Sequence, residues 1–117
     1  MHAIFCFGDS ITFGIGEKPA KGWVGRLQDY FEPIDRYNHV VNLGFPGHTS
    51  TDISSRIDIE LSARARIRRD TDKFLILISI GMNDLRVDKL GKPRISERNF
   101  KTNIKKLIEK VKKFPAK

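Results

Sequence analysis

The sequence predicts an α/β fold in which parallel strands alternate with helices that cover both faces of the sheet. Two observations point there. Three short runs, HAIFCFG (2–8), HVVNLGF (39–45) and FLILISIG (74–81), recur at similar intervals, rich in apolar residues and each punctuated by a terminal glycine or one beside its end. Between and after them lie stretches whose apolar residues keep helical spacing. That alternation is the pattern of βαβ units.

The elements follow in order. Run 2–8 is β-branched and aromatic, and so reads as the first strand. GWVGRLQDYF (22–31) is helical, with Trp23, Leu27, Tyr30 and Phe31 on one face. After the second strand, STDISSRIDIELSARARIRR (50–69) opens with Ser, Thr and Asp suited to an N-cap and places Ile53, Ile57 and Leu61 at steps of four. Beyond the third strand, RVDKLGKPRIS (86–96) is a polar loop turning at Gly-Lys-Pro. NFKTNIKKLIEKVKKF (99–114) carries Phe100, Ile104, Leu107, Ile108 and Val111 opposite a lysine face, and ends at Phe114-Pro115. With no repeat, low-complexity tract or linker, residues 1–117 read as one domain.

Composition narrows the class. A chain of 117 residues, 39% apolar and 31% charged, suits one ordinary globule. No apolar run approaches the ~20 residues that span a bilayer. No basic residue precedes the first apolar segment, which reads as a strand and not as a secretory signal. Cys6 is the only cysteine; it excludes an intramolecular disulfide, is expected in the core, and makes the cytoplasm the expected compartment. The net charge of +8 is uneven: −3 over residues 1–60 and +11 over 61–117. Solvated helix faces account for it. With no zinc spacing, RNA-binding aromatic motif or recognition helix beside the charge, a nucleic-acid partner is not expected.

The strand ends carry the functional signal. In such sheets ligands bind beyond the carboxyl ends of the strands. Here the three strands run into GDSIT, PGHTS and GMND, three polar loops that would converge on one rim. A serine at Ser10, at the start of a turn, suits nucleophilic attack on an acyl carbon once a base removes its proton. The oxyanion so formed needs donors aimed at it. The backbone N–H of Ser10, the backbone N–H of Gly47 and the side-chain amide of Asn83 are the candidates. Gly47 lets the main chain approach closely because it has no Cβ.

FGDSIT, NLGFPGHTS and GMND resemble the first three blocks of the SGNH hydrolases, the GDSL esterase/lipase family, and the resemblance runs from residue 3 to about residue 113. It implies a flavodoxin-like, three-layer α/β/α fold with its strands in the order 2-1-3. It implies hydrolysis of small-molecule carboxylic esters without metal or cofactor. Ser10 would be the nucleophile, Gly47 and Asn83 would belong to the oxyanion hole, and Asp9 and Asp84 would support the loops through hydrogen bonds.

The family's Asp-x-x-His block is absent from the sequence. His2 and His39 begin strands, at the end opposite Ser10, and His48, beside Gly47, falls where the resemblance implies a variable polar residue of the family's second block. The general base is therefore expected from a missing C-terminal segment, with this chain an incomplete SGNH domain. FLILISI agrees, since an apolar strand left at a sheet edge is a hazard that further strands would cover. A homodimer paired through that third strand is the other way to cover it. The alternative function is a degenerate domain that binds an acyl or glycan ligand without catalysis.

Overall fold

In the computed structural model, which describes residues 1–19 and 21–114, β1 (His2–Gly8) is the central strand. It pairs in parallel with β2 (Asn38–Gly44) on one side and β3 (Lys73–Ser79) on the other, so the order is β2-β1-β3. This is the 2-1-3 sheet expected of the family's fold. Gly8 stands level with both Gly44 and Ser79, so the three following loops leave the sheet at one height.

The alternation of side chains along β1 divides the interior. Ala3, Phe5 and Phe7 face one core with Leu43, flanked by Val41, Phe74, Ile76 and Ile78. Ile4 and Cys6 face the other with Val40, flanked by Leu77. The helices follow from connection handedness. Going from β1 to β2 moves one way along the sheet, and going from β2 to β3 crosses back over β1. Right-handed crossovers in opposite directions put their helices on opposite faces. Accordingly α2 (Gly22–Phe31) covers the Cys6 face, while α3 (Ser50–Arg64) and α5 (Glu97–Lys112) cover the Phe5 face. Two single-turn helices, α1 (Ser10–Phe13) and α4 (Met82–Leu85), stand at the strand ends.

Several boundaries differ from the sequence reading. α3 stops at Arg64 although helical spacing continues to Arg69. The buried carboxylate of Asp72 accepts the backbone N–H groups of Arg68 and Arg69, each at 3.0 Å, and the Met1 ammonium at 2.7 Å. Donors that a longer helix would use are thus drawn elsewhere. On α2 the buried stripe is Val24 flanked by Trp23, Leu27 and Phe31, and Tyr30 is 75% exposed. At 100° per residue Tyr30 falls on the margin of that stripe. α5 starts two residues early because Ser96 caps it, accepting from Asn99 N at 3.1 Å. Pro115, expected to end it, lies outside the described residues.

Two further features bear on chemistry. Cys6 is fully buried, and burial pushes its thiol up to about 11, so it is neutral at pH 7. Among the described residues β3 has a neighbouring strand on one side only, and Leu75 is 51% exposed on the α2 face. Among the described residues no helix is long and apolar enough to cross a membrane.

Candidate active site

The Ser10 bend is built by close packing. A Cβ on Gly8 would lie 2.0 Å from Thr12 Oγ1 and 2.7 Å from the Ser79 carbonyl, so only glycine lets β1 end this near β3. Asp9 then caps α1, its Oδ1 accepting from Ile11 N at 2.9 Å. Ser10, half-buried, is the first residue of that turn, and its hydroxyl has no hydrogen-bond partner among the described residues. It lines a groove of about 520 Å³ with Asp9, Ile11, Met82, Asn83, Leu85 and Arg86. The groove opens where the strand order reverses, between the loops after β1 and β3. That switch point is where open α/β sheets bind ligands.

The loop after β2 is clamped to this bend. Phe45 N donates to the Gly8 carbonyl at 3.0 Å, and Asn42 Nδ2 donates to the Thr12 carbonyl at 3.1 Å. Gly47 follows, exposed and with φ +82°, in a turn closed by His48 N to the Phe45 carbonyl at 3.2 Å. Its carbonyl accepts from Arg94 Nη1 at 3.3 Å, while its N–H has no partner among the described residues. The His48 ring stacks on Phe45 at 4.4 Å, and its Nδ1 accepts from Arg56 Nε at 3.2 Å. Burial first, and then the Arg56 cation, hold the imidazole below its usual value against the pull of Asp52.

The loop after β3 reaches back to that turn. Asn83 Nδ2 donates to the His48 carbonyl at 3.0 Å. One amide hydrogen fixes the side chain, and the second is left over. Asp84 is 1% exposed and accepts from Ser50 N at 3.0 and 3.1 Å and from Ser50 Oγ. Its carboxylate therefore sits at the N-terminus of α3, where the helix dipole favours negative charge.

Ser10 and Asn83 share one groove. Gly47 is not part of that lining, but it adjoins His48, whose carbonyl holds Asn83. His2 and His39 lie at the opposite end of the sheet. Sequence reasoning passed over Arg56, Ser50 and Asn103. Asn103 Nδ2 donates to Ser50 Oγ and Thr51 Oγ1, both at 3.0 Å. These residues lie mid-helix or at a helix start and carry no local signature; only long-range pairing reveals them. Among the described residues no group of three or more His, Cys, Asp or Glu side chains is placed to hold a metal ion.

Comparison with known proteins accords with this geometry. The sequence model of the GDSL-like Lipase/Acylhydrolase family matches residues 6–117. The structure is similar to AlinE4, an SGNH-hydrolase family esterase, with TM-score 0.72 and 21% identity over 97% of this chain and 55% of that one. It is similar to the psychrotrophic esterase EstA from Pseudoalteromonas sp., with TM-score 0.70 and 25% identity over 94% of this chain and 53% of that one. It is also similar to Axe2, an acetylxylan esterase from Geobacillus stearothermophilus, with TM-score 0.67 and 23% identity over 94% and 54%. No curated protein matches the sequence. The chain spans about half the length of the solved structures that it resembles. With the family model covering nearly every residue and the three strand-end loops in their order, the chain belongs to the GDSL-like lipase/acylhydrolase family, the SGNH hydrolases.

Proposed function

We propose that this protein hydrolyses small-molecule carboxylic esters with Ser10 as nucleophile. Ser10 Oγ attacks the carbonyl carbon as its proton passes to a histidine base. That base is taken to lie in the part of the family fold that residues 1–117 do not span: His48 Nδ1 accepts from Arg56, which leaves the proton of the neutral ring on Nε2, and His2 and His39 lie at the far end of the sheet. The oxyanion is held by Ser10 N–H, Gly47 N–H and the second amide hydrogen of Asn83. Each such donor is worth roughly 2.7–4 kcal/mol in the transition state. The tetrahedral intermediate collapses, the alcohol leaves with the proton, and water then releases the acid from Ser10.

The observation that carries this reading is one groove at the switch point lined by both Ser10 and Asn83, with the Asn83 amide tied to the loop of Gly47. Hydrolysis of p-nitrophenyl acetate by the protein at its full natural length tests it. Ser10→Ala is expected to abolish turnover, and Asn83→Ala to lower kcat by ~10²–10³-fold with the fold intact. Turnover retained by Ser10→Ala would remove that residue from the mechanism.

A further inference from the structure

We propose that Arg56 is a positioning residue for the oxyanion cradle, a single guanidinium that holds the end of β1, the end of β2 and the Gly47 loop in one frame. This rests on the ester-hydrolase reading above and adds to it a residue that touches none of the reacting atoms. Arg56 Nη2 donates to the Leu43 carbonyl at 2.7 Å and to the Gly8 carbonyl at 3.4 Å, and Nε donates to His48 Nδ1 at 3.2 Å. The guanidinium also lies over the Phe7 ring, 5.5 Å from its centroid.

Each contact is one short step from a proposed donor. Gly8 precedes Ser10 by two residues. His48 follows Gly47 directly, and its carbonyl fixes the Asn83 amide. The anchor for these contacts is firm, because Arg56 sits on α3 between the fully buried Ile53 and Ile57. The planar fork matters too. Its donors point in fixed, different directions, so one side chain can serve two strand-end carbonyls and a ring nitrogen together. An ammonium is a point cation on a flexible stem and does not reproduce that set.

The test uses Arg56→Met and Arg56→Lys in the protein at its full natural length. Three quantities are read: kcat and KM for a p-nitrophenyl ester, thermal melts, and the NMR signals of Gly47 N–H and the Asn83 side-chain amide. Arg56→Met is expected to lower kcat by ~10–100-fold while KM moves by less than about twofold, as small misplacements of donors do. The Gly47 and Asn83 signals should move as well. Arg56→Lys should recover the melt but not kcat, a split that a purely structural arginine would not give. Unchanged kcat and unmoved signals in a folded Arg56→Lys would overturn the proposal, even where Arg56→Met fails to fold. Absence of hydrolysis by the wild type would instead refute the ester-hydrolase reading, and the NMR signals alone would then decide whether Arg56 positions the loops.

Discussion

Replacing Asp84 by alanine removes a buried carboxylate that joins the third strand-end loop to α3. Asp84 accepts from Ser50 N and Ser50 Oγ, and Ser50 Oγ in turn accepts from Asn103 Nδ2 at 3.0 Å. Without the carboxylate, two buried donors on Ser50 lose their acceptor, at about 1–3 kcal/mol each. The lost charge at the N-terminus of α3 adds about 0.3–1 kcal/mol. The total is about 2–7 kcal/mol, a large share of the ~5–15 kcal/mol of a typical domain. For a urea m-value of about 2 kcal/mol/M, the unfolding midpoint falls by about 1–3.5 M. Far-UV circular dichroism along a urea series reads this directly. Asp84→Asn keeps one acceptor oxygen and should fall between wild type and alanine. A midpoint shift below about 0.5 M for Asp84→Ala would show that the carboxylate is not what satisfies Ser50.

Other perturbations probe the bend and the opposite pole. Gly8→Ala drives a methyl group into Thr12 and the Ser79 carbonyl and should cost at least ~1–3 kcal/mol in the same assay. Gly47→Ala meets no atom within 4 Å, so its cost should be only the ~1–2 kcal/mol of a left-handed alanine; a Gly47→Ala cost well above about 2 kcal/mol would contradict the open surroundings described. The Met1 ammonium, then the Arg68 and Arg69 N–H groups, hold the Asp72 carboxyl well below the usual range against the effect of burial. Its contribution is thus present above the ordinary carboxylate value near pH 4 and fades as pH falls below it. Asp72→Asn should flatten the acid limb of the stability profile, and parallel limbs for the two proteins would refute the linkage.

What was legible in the sequence is what local chemistry encodes. Apolar runs closed by glycine located the strands to within one or two residues, because Gly8, Gly44 and Gly81 stand where the chain must turn. The three strand-end loops were legible for the same reason, since their reactive residues adjoin those turns. Features set by distant partners were not. The end of α3 depends on Asp72, which lies eight residues beyond it and is itself held by Met1. Burial on α2 depends on which part of its apolar stripe meets the sheet, and Tyr30, at the margin, is left exposed. Arg56 reads as one more surface cation of a helix until β1 and β2 are seen to end beside it.

The most direct test of the central claim is intact-mass and peptide analysis of the protein, at its full natural length, after exposure to a fluorophosphonate. The account predicts a single adduct on Ser10, lost in Ser10→Ala. An unlabelled wild type, or labelling that survives Ser10→Ala, would contradict it.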